Sequence, residues 1–227
     1  MFELLRQIEW TPFLISFKLA SITTLILFII ALPLAWYLSW TKSKLKPTIE
    51  AITALPIVLP PSVLGFYILI LLSSNSLIGN FFEKYFGIKL LFSFSGLVVA
   101  SIFYSLPFMV QPIQSGFESL NRNIIEASYL SGKGKIETLF RVALPNIKPS
   151  ILTAVIITFA HTVGEFGVVL MVGGNISNET RVASVAIYEL VEIMDYKMAH
   201  IYSAIMLIIS FLVLIVVYIL NKRVGLK

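Results

Sequence analysis

Five apolar runs, near residues 13–40, 49–73, 95–117, 149–172 and 200–220, limit what this chain can become. Each is long enough, at about 1.5 Å per helical residue, to cross roughly 30 Å of hydrocarbon. In hydrocarbon every backbone polar group must be satisfied internally, and runs of this length do so as α-helices. The expectation is an all-α, polytopic membrane protein with about five transmembrane helices in one domain spanning 1–227.

Composition agrees, with 58% hydrophobic and only 13% charged residues, which excludes a soluble domain of this length. The prolines and glycines fall largely inside the apolar runs, and no linker, repeat or low-complexity segment is visible. The absence of cysteine excludes disulfides, iron–sulfur clusters and thiolate metal sites, and no metal site is expected. Glu3, Arg6 and Glu9 precede a first run longer than a signal-peptide core, so that run reads as a retained span.

Five crossings place the termini on opposite sides, and basic residues assign the sides. The connections near 41–48, 118–148 and 221–227 carry Lys42, Lys44, Lys46, Arg122, Lys133, Lys135, Arg141, Lys148, Lys222, Arg223 and Lys227. The other face carries only Arg6, Lys84, Lys89, Arg181 and Lys197, with Lys18 near the start of the first span. The expected topology is N-out, C-in. This distribution accounts for the net charge of +5 without nucleic acid, whose binding would need basic residues interleaved with aromatics on a soluble face. Residues 180–196 alternate apolar and charged positions at helical spacing and read as a short amphipathic helix at the outer surface, or one packed into the membrane domain.

The large connection 118–148 is polar yet helix-forming. Asn123 and Glu126 have capping-box spacing, so a helix is expected from there to near Gly132. Gly132 and Gly134 permit a left-handed turn, and a second helix over about 135–142 should stop before Pro145. Ala127, Tyr129, Leu130, Ile136, Leu139, Phe140 and Val142 give it more apolar surface than a solvated connector needs, and those side chains require a groove on this protein or another. From these residues alone, a well-capped connector and a docking element are both open.

Two features inside the spans stand out. Pro56, Pro60 and Pro61 lie within six residues, followed by Ser62 and Gly65, so the second run cannot be one regular helix; the bend is either a simple kink or part of a gate or path. Glu165 is the one acid deep in a span, which at a bilayer centre costs about 2.5–3.5 kcal/mol and so calls for a partner or a function. His161 stands one helical turn earlier and is the expected partner, in a gate or in a polar pair that only specifies packing. Gly164 and Gly167 beside them permit close helix approach. The zinc-protease pattern His-Glu-x-x-His and the phosphate-binding Gly-x-x-x-x-Gly-Lys-Ser/Thr are absent, so no catalytic residues are assigned.

The connection resembles that of binding-protein-dependent ABC transporter permeases: Glu-Ala-Ala, three residues, Gly, nine residues, Ile, one residue, Leu-Pro. Here it reads Glu126-Ala127-Ser128, Gly132, Val142 and Leu144-Pro145, with Ser128 and Val142 as departures. Leu55-Pro-Ile-Val-Leu-Pro60-Pro61-Ser-Val-Leu-Gly65, Ala160-His-Thr-Val-Gly164-Glu165-Phe-Gly167 and Gly173-Gly-Asn175 are similar to the oxyanion branch of that family, especially molybdate permeases.

The resemblance implies a type I importer permease fold in the inner, cytoplasmic membrane and a homodimer, since one chain has too few helices to enclose a path. It implies two copies of an ATP-hydrolysing subunit docked at Asn123–Val142 and an extracytoplasmic molybdate-binding protein, with ATP and Mg on the ATPase and no cofactor in this chain. Molybdate, with tungstate as a second cargo, is the expected substrate; sulfate or thiosulfate is the alternative. For a tetrahedral dianion the hydroxyls of Ser62, Thr158 and Thr162 are candidate path groups, whereas a Glu165 carboxylate would repel it. Two rivals from other classes are a proton-coupled carrier using Glu165 and a membrane enzyme using Glu165 with His161.

Overall fold

The computed structural model describes residues 8–225, with side chains through Ile215 and those of Tyr218 and Ile219. Arg6 and Lys227 and the side chains of Lys222 and Arg223, used in the charge argument, and Glu3, used in reading the first run as a retained span, lie outside the described residues.

The long first run forms one helix, α1 (Thr11–Trp40), with Pro12 in its first turn, where a missing N–H costs nothing. A proline-opened helix α2 (Lys46–Val58) and α3 (Pro61–Leu72) follow, then α4 (Leu77–Phe86), which starts on Ser76 Oγ and ends at left-handed Gly87. Ser93 caps α5 (Phe94–Glu118), the central helix, against which α1, α2, α8 and α9 pack. The 118–148 connection folds into α6 (Arg122–Leu130) and α7 (Lys135–Asn146). Then come α8 (Lys148–Val163), α9 (Gly167–Gly173), α10 (Ala183–Glu192) and α11 (Tyr196–Gly225).

Three helices, α1, α5 and α11, are apolar and unbroken over a membrane-crossing length. The other two expected crossings are broken. Between α2 and α3 the chain bends by 113°. Leu59 and Pro60 are both extended there, because Pro60 and Pro61 withhold two consecutive N–H donors and push the preceding residues out of the helical region. The run 149–172 is also interrupted, at Gly164–Phe166, where Phe166 (φ −130°, ψ −63°) leaves the helical path. That second break was not anticipated.

Packing follows the small and branched residues. Leu27, Ala31, Ala35 and Leu38 of α1 are buried against Met109, Val110, Ile113 and Phe117 of α5, toward the end of the bundle that carries α6 and α7. At the opposite end Leu19 of α1 meets Leu97 and Val98 of α5, Val169 of α9 and Val185 of α10. The amphipathic segment is α10. Its Ala183, Val185 and Ala186 are buried, and the Ala183 N–H donates to Ser16 Oγ of α1 at 2.8 Å, so it packs on the ends of the spans.

Candidate functional site

The segment between α5 and α8 is a rigid knuckle. Asn121, not Asn123, caps α6, its Oδ1 accepting the Asn123 N–H at 3.0 Å; Asn123 lies inside the first turn, and the expected Asn123–Glu126 capping box does not form because the orphan donor is already satisfied. At the other end the Gly132 N–H donates to the Tyr129 carbonyl and the Lys133 N–H to that of Ser128, a Schellman closure with Gly132 at φ +81°. Gly134 is extended (φ −73°, ψ 170°) and takes no left-handed turn, since one such residue completes the closure.

Pro145 does not end the second helix. The chain widens into a π-helical turn over Leu139–Ala143, in which the Leu144 N–H reaches the Leu139 carbonyl, and helix continues to Asn146. The wider turn accommodates the proline ring and its missing donor. Ser128, the departure from the Ala of the motif, is buried with its hydroxyl 2.9 Å from that of Thr138, tying α6 to α7.

The apolar side chains of this segment divide into two sets. Ile125, Ala143 and Ile147 are buried, with Leu139, Val142 and Leu144 packed on the same cluster as Met109, Ile113 and Phe117. Leu130, Ile136 and Phe140 are 90%, 74% and 59% exposed, with Ile124, Glu126, Ala127 and Tyr129 also exposed beside them. The inner set fixes the knuckle to α5 and α8; the outer set has no partner among the described residues.

Three of the residues singled out inside the spans meet between α3 and α9. A Cβ on Gly167 would stand 2.9 Å from Pro61 Cβ, and one on Gly65 would stand 3.0 Å from Met171 Sδ. The two half-helices beyond the breaks are thus packed through glycines onto each other. Pro56 is buried, whereas Pro60 and Ser62 are exposed and take no part in this contact.

Glu165 and His161 are not paired. α8 ends at Val163, so the four-residue spacing no longer keeps them on one face, and each turns instead to a serine of α5. Ser101 Oγ donates to Glu165 Oε2 at 2.8 Å, and Ser105 Oγ lies 3.0 Å from His161 Nδ1. Glu165 is 4% exposed; its Oε1 has no hydrogen-bond partner among the described residues, and its carbonyl accepts from Ser184 Oγ of α10 at 2.6 Å. Thr162 Oγ1 is 2.9 Å from Ser105 Oγ and donates to the Thr158 carbonyl at 2.9 Å, while Thr158 Oγ1 is buried with no hydrogen-bond partner among the described residues. Gly164 is exposed at the break. His161 stacks on Phe108 with ring centroids 4.0 Å apart and lies 4.7 Å from the Tyr104 ring.

A second polar group, missed in the sequence, lies at the knuckle end between α2 and α5. A cavity of about 430 Å³ is lined by Glu50, Thr53, Gln111, Gln114, Ser115 and Glu118, among others. Gln114 Nε2 donates to Glu50 at 2.6 Å and to Glu118 at 3.0 Å, and Lys46 Nζ reaches Glu118 at 3.2 Å. The signal was present: Gln111, Gln114, Ser115 and Glu118 are polar residues inside or at the end of an apolar span.

A family model described as "Binding-protein-dependent transport system inner membrane component" matches residues 22–226. The chain is 47% identical to the molybdenum transport system permease protein ModB of Azotobacter vinelandii over 90% of both chains. It is 31% identical to ModB of Escherichia coli K12, covering 83% of this chain and 82% of that one. It is 33% identical to the sulfate transport system permease protein CysT of a Synechocystis strain, covering 95% of this chain and 77% of the relative. Among solved structures, it superposes on a chain of a bacterial ABC transporter involved in alginate import with a TM-score of 0.78 at 17% identity (94% of this chain, 78% of that one). On the MetNI methionine ABC transporter the TM-score is 0.72 at 18% identity (92% and 93%), and these likenesses establish the permease fold.

Proposed function

The chain belongs to the family of binding-protein-dependent transport system inner membrane components, and from that premise we propose that it is the membrane-spanning subunit of an ATP-driven importer of molybdate. The observation that carries the substrate is 47% identity to a molybdenum permease over 90% of both chains, against 33% to a sulfate permease. As a multi-pass inner-membrane protein it works with the basic connections on the cytoplasmic side and α4 and α10 on the outer side.

The working unit is a homodimer with the path between copies, joined by two ATPase subunits and an extracytoplasmic binding protein. The knuckle suits the ATPase contact. Its outer residues Leu130, Ile136 and Phe140 offer an unpartnered apolar surface, while Ile125, Ala143 and Ile147 root it in the bundle, so a push on the knuckle displaces α5 and α8 together. The packed half-helices α3 and α9 would then move as one body about the breaks at Leu59–Pro60 and Gly164–Phe166, switching access between sides. ATP is hydrolysed by the partner subunit.

ATP-dependent molybdate uptake into proteoliposomes holding this chain, its ATPase and its binding protein, with excess sulfate as competitor, tests the reading. Uptake that needs all three components and resists sulfate is expected. Uptake by the chain alone would overturn it, and three-component uptake abolished by sulfate would change the substrate.

A further inference from the structure

Little apolar burial holds α2 in place. Its buried residues are Thr53 and Pro56, while Ile52, Leu55, Ile57 and Val58 are exposed. Among the described residues α2 packs chiefly on α5, where Ile49 reaches the cluster around Phe117. Beyond Ile49 the two helices do not close on each other. Ala51, Thr53 and Ala54 of α2 face Val110, Gln111 and Ser115 of α5 across the cavity of about 430 Å³.

A closed ring of four side chains joins the helices at their cytoplasmic ends. Lys46 Nζ lies 3.2 Å from Glu118 and 3.6 Å from Glu50, and the Gln114 amide donates to Glu118 at 3.0 Å and to Glu50 at 2.6 Å, so every member has two partners within the ring. Local helix stability does not account for this placement. Lys46 is the first residue of α2 and Glu118 the last of α5, the ends at which the helix dipole disfavours a cation and an anion respectively. Each charge is unfavourable alone. They become favourable together because α2 leaves the cytoplasmic side where α5 returns to it, which sets those two ends side by side.

The ring also stands at the root of the knuckle. Glu118 ends α5, α6 begins at Arg122, and Phe117 and Ile125 share one packed cluster, so a displaced knuckle carries Glu118 with it. Nothing in the sparse packing of α2 obliges that helix to follow.

We propose that Lys46, Glu50, Gln114 and Glu118 are positioning residues for transport: the ring ties α2 to α5, so that a knuckle moved by the ATPase draws the cytoplasmic half of the broken second span along with it. The inference rests on the importer reading above and supplies the link between the knuckle and α2. The ring stays closed through the cycle, and the 113° bend at the other end of α2 is the hinge about which the helix swings. Ion pairs as exposed as these, with side chains 28%, 36% and 44% accessible, contribute little to stability, so opening the ring uncouples the transporter without unfolding it.

The test measures ATP hydrolysed per molybdate taken up by the complete complex in proteoliposomes, alongside the thermal midpoint. Glu118→Lys sets a second cation against Lys46 and should raise the ratio severalfold with the midpoint little changed. Adding Lys46→Glu to Glu118→Lys restores an attractive pair in reversed order and should recover most of the wild-type ratio. An unaltered ratio in Glu118→Lys, a ratio that Lys46→Glu leaves unrecovered, or a midpoint lost in parallel would overturn the proposal. If Glu118→Lys does not assemble, cross-linking decides, since the chain has no cysteine of its own. Lys46→Cys with Glu118→Cys should be uncoupled as isolated and recoupled when a bifunctional thiol reagent joins the two positions, with the wild-type complex treated alike as reference. Joining that abolishes uptake would show that the ring must open, and joining that leaves the ratio raised would show that the tie does not couple; either overturns the proposal. Absence of any wild-type uptake would instead strike the importer reading itself.

Discussion

Ser101 and Glu165 join α5 to the break in the fourth span through a 2.8 Å hydrogen bond, while Ser184 grips the Glu165 carbonyl from α10. The acid that sequence spacing assigns to His161 thus serves as a joint between three helices. Ser101→Ala would leave both carboxyl oxygens of Glu165 buried without a partner. Interhelical hydrogen bonds in membranes average about 0.6 kcal/mol and reach about 1.7, so a loss on the order of 1 kcal/mol is expected. Thermal unfolding of the detergent-solubilised complex reads it; an unchanged midpoint would show that the bond contributes nothing.

The contact between α3 and α9 leaves no room for side chains at Gly65 or Gly167. Gly167→Leu would drive its side chain into Pro61, and overpacking of this kind costs about 1–3 kcal/mol. Uptake should fall in Gly167→Ala, whose Cβ would stand 2.9 Å from the rigid Pro61 ring, and fall further in Gly167→Leu. Equal activity of the two variants would show that the half-helices need not touch.

Gly132 is held by its dihedral angle and not by crowding: φ is +81°, and a Cβ there would meet nothing within 4 Å. Gly132→Val should cost about 1–2 kcal/mol locally and misset the knuckle, leaving ATP hydrolysis but reducing uptake. Asn, which tolerates the left-handed region, should restore much of the loss. Full uptake in Gly132→Val would refute this role for the turn.

The exposed set on the knuckle should be separable from its buried set. Ile136→Asp with Phe140→Asp is expected to abolish co-purification of the ATPase subunit without lowering the yield of folded permease. Ile147→Asp, by contrast, should cost the fold itself, because a charge would enter the packed cluster with Phe117. Retention of the ATPase by the double variant would place the docking surface elsewhere.

Pro60→Ala restores a backbone donor at the 113° bend. Transport should suffer more than folded yield, since the adjacent Pro61 still shapes the start of α3. Parallel losses in both would mark the bend as structural alone.

How much of this was legible depended on the range of the interaction. The apolar runs, the basic connections and the gapped motif were all visible, and the knuckle lies where the motif places it. The cap shifted by two residues, from Asn123 to Asn121, because either asparagine can accept an orphan N–H and only the entering chain direction chooses. The inward turn of Leu139 and Val142 and the outward turn of Ile136 and Phe140 were not readable, because the π-helical turn at Pro145 alters the periodicity on which such a reading rests. The Lys46–Glu50–Gln114–Glu118 cluster went unseen because it joins two spans separated by more than sixty residues.

The sequence by itself determined that this is an all-α polytopic membrane protein and that its second apolar run must break, since hydrocarbon forces long apolar runs into helices and prolines withhold the bonds that helices need; its gapped motif added the likeness to the permeases. Tertiary structure decided the partners of the buried polar groups. Four-residue spacing pairs His161 with Glu165 only while the helix continues, and α8 stops at Val163. Beyond that point each side chain takes the nearest donor or acceptor across the interface, and packing against α5 supplied Ser101 to one and Ser105 to the other.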